Sequence, residues 1–171
     1  QANANVQQQE AELADLNAGS TPENIDAAKT DLENAQQKAL ADLKEDYDNA
    51  LAAAKEAVTI GKQSLLEATE LQYTYFIDNT RQVDYIIDGK KAVAVQALLG
   101  VSGAGRAARE VISGYNDGVY GQVQGLSNAT LQDQIDNALE DTIAALQKIK
   151  DLLNSFPVID EMTITEKSDL V

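Results

Sequence analysis

The chain has 171 residues, enough for one ordinary domain with a real core and too few to favour two. Its 28 acidic against 13 basic side chains give a formal charge of −15, which disfavours binding to nucleic-acid phosphates or anionic membrane surfaces. Cysteine and histidine are both absent, so thiol nucleophiles, disulfides, thiolate zinc sites and histidine-based catalytic or metal centres are excluded.

The hydrophobic share of 44% overstates the core, because 26 residues are alanine, there is no tryptophan and there are two phenylalanines. Close helix approach therefore has to replace large aromatic side chains. Gln1 is not an initiator methionine, and the opening Gln-Ala-Asn-Ala-Asn is small and polar. The expectation adopted is a mature chain after loss of a secretory signal, hence secreted, cell-surface or periplasmic, with the cytoplasm still open. No run approaches the roughly 18 apolar residues of a membrane span, so no transmembrane segment is expected.

Residues 1 to 17 carry Val6, Leu13 and Leu16 among Gln, Glu and Ala, which suits a short helix ended by Gly19. Ser20, Thr21, Pro22 and Glu23 then form a helix start: hydroxyl cap, proline where a missing N–H costs nothing, and a carboxylate on the positive end. From Thr21 to about Phe76 the chain reads as one amphipathic helix, roughly 80 Å long at about 1.5 Å per residue. Leu51, Ala54, Val58, Gly61, Leu65, Ala68, Gln72 and Tyr75 recur at spacings of three and four, the period that holds one stripe against a partner.

Between Leu71 and Ile87 aromatic and β-branched residues concentrate around Asp78-Asn79-Thr80. Two readings stand: the helix ends near Phe76 and a hairpin follows, or helix continues to Ile87 and stops at Asp88-Gly89. Continued helix with a break is preferred, since an isolated hairpin is marginal in water. Seven of the ten glycines lie between Gly100 and Gly125, marking an irregular segment. Within it, Ala104 to Tyr115 suits a short helix and Asn116-Asp117-Gly118 a turn.

After Gly125, Ser127 or Asn128 is expected to cap a last helix, with Leu131, Ile135, Leu139, Thr142, Leu146, Ile149, Leu153 and Phe156 on its apolar side and Pro157 as its stop. Leu131 to Leu153 is expected to pack antiparallel along part of the long helix. Met162-Thr163-Ile164-Thr165 reads as an edge strand or extended arm. The fold class is thus all-α: an elongated antiparallel helical bundle built on one very long helix, with a Gly-rich irregular segment and an extended C-terminal tail. The domain division expected is a bundle over 1–157 and a C-terminal arm over 158–171.

Few motifs carry chemistry. Leu99-Gly100-Val101-Ser102-Gly103-Ala104-Gly105-Arg106 resembles a phosphate loop in glycine content alone. It lacks the strand-loop-helix context and the lysine of a nucleotide site, so tight turns or close packing explain it better. Glu45-Asp46-Tyr47-Asp48 and Glu140-Asp141 lack the alternating ligands and central glycine of a calcium loop, and neighbouring helical residues diverge by about 100°. They read as solvated faces. Asn128-Ala129-Thr130 fits a glycosylation acceptor and, better, a helix cap.

Charge is segregated: residues 1 to 80 sum to −10, residues 81 to 109 to +3, and residues 110 to 171 to −8. Arg81, Lys90, Lys91, Arg106 and Arg109 form the one basic stretch, suited to an acidic partner surface. With Tyr115, Tyr120, Met162 and Ile164 they are the candidate partner contacts. No catalytic, cofactor-binding or metal-ligating residue is assigned, and no cofactor is expected. The function expected is a non-enzymatic extracytoplasmic structural or assembly subunit, or an adhesion module, acting on protein partners and above all by self-association. Nucleic acid is not an expected partner. The alternative is a periplasmic ligand-binding bundle with its site near the Gly-rich segment.

Overall fold

The computed structural model describes residues 10, 11, 14, 19, 21–77, 82–127, 129–130, 132–160 and 162–169. The expected helix over 1 to 17 lies largely outside them. Contacts divide the chain into two units, Gln1–Glu45 and Asp46–Val171. The described residues are all-α, with no strand.

Helix α1 spans Pro22–Leu71. The Asn24 amide donates to Thr21 Oγ1 at 3.3 Å and the Ile25 amide to the Thr21 carbonyl at 3.0 Å, so the helix begins where the cap signal stands. At its far end the coil widens into a π-helical turn, Gln72–Phe76, and stops at Ile77. Helix α2, Gln82–Leu99, follows in place of a hairpin and runs straight through Gly89, where a stop was expected. A glycine inside a helix lowers stability by about 1 kcal/mol without ending it, and here α2 is held by Ile87, Ala94, Val95, Leu98 and Leu99, all fully buried.

The glycine segment is mostly helical. A 3-10 turn, Ala104–Arg106, is followed by extended Ala107 and Ala108, then α3, Arg109–Ser113, and α4, Gly118–Gly125. The single helix expected over Ala104 to Tyr115 is therefore split. Gly100 and Gly118 both take positive φ, +72° and +61°, and their backbones meet: a Cβ on Gly100 would stand 2.9 Å from the Gly118 nitrogen. Only glycine combines that conformation with that approach.

Helix α5, Gln132–Leu153, starts later than the cap reading implied. Ser127 and Thr130 close a turn on each other, the Ser127 amide donating to Thr130 Oγ1 at 2.9 Å and the Thr130 amide to the Ser127 carbonyl at 2.8 Å. Asn128 and Leu131 lie outside the described residues. Helix α6, Ile164–Asp169, replaces the expected strand or extended arm. Its cause is a capping box: the Thr163 amide donates to Glu166 Oε2 at 2.7 Å and the Glu166 amide to Thr163 Oγ1 at 3.3 Å. Those hydrogen bonds hold Glu166 below the usual carboxylate pKa.

Direction follows from cross-contacts. Gln72 meets Asp84 while Gly61 lies near Leu98, so α2 descends antiparallel to α1. The Tyr73 hydroxyl donates to the Arg106 carbonyl, Lys62 to the Ser113 and Tyr115 carbonyls, and Lys55 to the Leu126 carbonyl, so residues 104 to 126 descend α1 a second time. Tyr47 meets Asp136, Gly61 lies near Leu146 and Ile149, and Leu71 shares a cavity with Leu153. Helix α5 therefore runs parallel to α1, against the antiparallel expectation for that pair, because the second descent has returned the chain before α5 begins. It is antiparallel to α2, against which it packs extensively.

The core joins α1 (Ala54, Val58, Leu65, Ala68), α2 (Ile87, Ala94, Val95, Leu98), Ile112, Val123 and α5 (Ala138, Ala145, Ile149, Leu152). Phe76 and Phe156 close one end edge-to-face at 5.7 Å, and Met162 is buried in the same cluster.

Candidate functional site

Two of the basic residues, Lys91 and Arg106, reach buried groups. Asp84, wholly buried, accepts from Arg106 Nη2 at 2.8 Å and from Gln72 Nε2 at 3.4 Å, and Arg106 Nε lies 3.6 Å from Asp88. The Asp84 hydrogen bond raises the Arg106 pKa further. Lys91 is also wholly buried: its Nζ donates to the Ala107 carbonyl at 3.0 Å and stands 5.4 Å from the Tyr73 ring centre. Burial lowers its pKa to about 8, against the attraction of Asp88 and Asp84. Gln72 Oε1 and Asp88 Oδ1 are buried acceptors without a partner among the described residues.

The lysines of α1 are spent on the second descent. Lys62 Nζ donates to the Ser113 carbonyl, the Tyr115 carbonyl and Asn116 Oδ1, and lies 4.7 Å from the Tyr120 ring centre. Lys55 donates to the Leu126 carbonyl at 2.7 Å while Gln124 Nε2 donates back to the Lys55 carbonyl. Charged donors thus satisfy carbonyls that the turns leave unpaired.

The candidate contacts do not converge on one surface. Lys91 and Met162 are buried in the bundle and offer nothing to a partner in this structure. Arg106 is paired with Asp84 and Asp88, and Arg109 with Glu70. Tyr115 and Tyr120 are half-buried beside Lys62. Lys90 and Ile164 are exposed, and Arg81 lies outside the described residues. Cavities among the described residues include one of about 230 Å³ lined by Ser64, Glu67, Ala68, Glu70, Leu71, Leu153 and Glu166, and one of about 190 Å³ lined by Thr69, Glu70, Tyr73, Thr74, Ala108, Arg109 and Glu110. Among the described residues no three carboxylates converge closely enough to hold a metal ion, and no helix is long and apolar enough to cross a membrane.

A run of exposed apolar residues lies elsewhere, on the first half of α1. Every residue from Thr21 to Asp46 is exposed, including Ile25 (45%), Leu32 (58%), Leu40 (68%) and Leu43 (41%). At about 100° per residue these four fall on the same side of α1 as Leu51, Ala54, Val58 and Leu65, which are buried. The apolar spacing of the buried residues is thus kept in sequence before Leu51, interrupted by Gln36 and Lys29, and there each of the four is exposed. The three-four spacing runs backward from Leu51 through Tyr47, Leu43, Leu40 and Gln36 to Leu32, so these positions are legible in the sequence.

No protein-family model, curated protein or solved structure matches this chain.

Proposed function

We propose that the chain is a non-enzymatic assembly subunit that associates with further copies of itself through the bare half of the α1 stripe. The observation that carries this reading is the continuity of that stripe: the pattern that builds the core is maintained through Leu43, Leu40, Leu32 and Ile25 where every residue is exposed. Helices of this kind gain their stability from packing more than from propensity, and an uncovered seam invites an equivalent one. The burial of Lys91 and the intramolecular pairing of Arg106 with Asp84 and of Arg109 with Glu70 support the same reading, since those cations already have partners within the chain.

The test is solution mass over a roughly hundredfold concentration range, where self-association appears by mass action. The parent is expected to grow in mass. The double variant Leu32→Glu/Leu43→Glu is expected to stay monomeric with its helical signal largely kept, because both residues lie on an exposed face. A parent that is monomeric throughout overturns this reading in favour of the ligand-binding bundle.

A further inference from the structure

The sequence holds two Asp-Gly pairs, Asp88-Gly89 and Asp117-Gly118, and the fold sets them in different backbone geometries. We propose that Asp117 converts to isoaspartate in the folded chain without any enzyme, through a cyclic imide closed with the Gly118 nitrogen, while Asp88 is protected by its helix.

The chemistry needs no reagent but water. The Gly118 backbone nitrogen attacks Cγ of the protonated Asp117 carboxyl, an N–Cγ bond forms, and the carboxyl hydroxyl leaves as water with the proton that the nitrogen gives up. The product is a five-membered succinimide. Water then adds to one of its two carbonyl carbons: breaking the N–Cγ bond restores aspartate, whereas breaking the bond from nitrogen to the main-chain carbonyl carbon leaves the chain running through Cβ and Cγ. That second product is isoaspartate, with no net gain or loss of atoms. Glycine is the favourable follower, because it has no Cβ to crowd the attack.

Geometry decides which pair reacts. Ring closure needs Cβ and the following nitrogen to eclipse each other about the Cα–C bond, which in an L residue happens at ψ near −120°, roughly. Asp117 stands at ψ −160°, about 40° from closure, and its side chain makes no cap hydrogen bond. Both Asp117 and Gly118 are exposed, so water reaches the site. The Gly118 amide is the first of α4, where N–H groups have no acceptor within the helix. Asp88 lies inside α2 instead, where a helical ψ is about 80° from closure and the next amide is held by the carbonyl four residues back. Its carboxylate also lies 3.6 Å from Arg106 Nε.

The product has a structural consequence. Isoaspartate adds one backbone carbon at a junction without slack, since Gly118 at φ +61° lies against the Gly100 backbone and the Asp117 carbonyl accepts from the Gly121 amide at 3.1 Å. The added length loosens the start of α4, whose Val123 is fully buried in the core.

The full chain is incubated at neutral pH, both folded and in denaturant, and isoaspartate at each position is quantified by peptide mass spectrometry with electron-transfer fragmentation. The expected result is at least a tenfold excess at Asp117 over Asp88 in the folded chain and comparable amounts at both in denaturant. Asp117→Glu, which would have to close a six-membered ring, should give no such product at that position. Similar yields at the two positions of the folded chain overturn the proposal, as does a folded Asp117 that stays unchanged while the denatured one converts. Converted and unconverted chains are then separated by ion exchange and compared by amide hydrogen exchange. Faster exchange over residues 119 to 125 is expected in the converted chains, and equal rates overturn the loosening of α4 while leaving the modification standing.

Discussion

Lys91 shows how a single side chain couples the fold to pH. Its burial costs the charged form more than Asp88 and Asp84 return, so its pKa falls from 10.5 to about 8. Between those values the folded chain binds fewer protons than the unfolded chain. Stability is therefore expected to rise with pH from about 8 to 10.5, by at most about 1.4 kcal/mol per pH unit, and the penalty is present in full below that window. Tyr47 acts in the opposite sense at the alkaline end, because burial and Asp136 raise its pKa and its contribution is lost as it ionises. Denaturant unfolding of the parent and of Lys91→Met at matched pH separates the two. The rise should vanish in Lys91→Met, and a slope that persists would assign it to another group.

At the scale of elements, the stripe of α1 was legible because its period is regular and its apolar residues are unambiguous. Leu51, Ala54, Val58, Gly61, Leu65, Ala68 and Gln72 are all buried as the spacing implies. Pair direction was not legible, because it depends on residues 104 to 126 retracing α1, a path set by Lys55, Lys62 and Tyr73 reaching distant carbonyls. Nor was the inward role of Arg106 and Lys91: their buried counterpart, Asp84, reads in sequence as one more exposed acid. The Thr163-x-x-Glu166 box was readable and outweighs the strand character of Met162 to Thr165. Burial also grades the two leucines on facing helices. Leu65 is fully buried and Leu65→Ala should cost about 2 to 5 kcal/mol, whereas half-buried Leu146→Ala should cost clearly less. Equal losses in denaturant unfolding would mean that α5 sits deeper against α1 than this structure has it.

Among the described residues the buried core belongs to the unit beginning at Asp46, while residues 22 to 45 are helical and exposed throughout. Amide hydrogen exchange should divide the chain accordingly. In dilute solution the amides of residues 26 to 45 are expected to exchange orders of magnitude faster than those of Leu98, Leu99, Ala145 and Ile149. Raising the concentration should slow the first group and leave the second unchanged, as local helix is protected by association. Uniform protection at every concentration would show that the first half of α1 is stabilised within one chain.

The parallel pairing of α1 with α5 also sets an order in time. Tyr47 and Asp136 are 89 positions apart, whereas Gln72 and Asp84 are 12 apart. Short loops close more cheaply than long ones, so the turn between α1 and α2 forms early and α5 docks last. During synthesis α1 leaves the ribosome complete while the helix that covers its C-terminal half is still unmade. For that interval Gly61 has Leu98 of α2 beside it but lacks Leu146 and Ile149, so the core of α1 and α2 stays open on the side that α5 later fills.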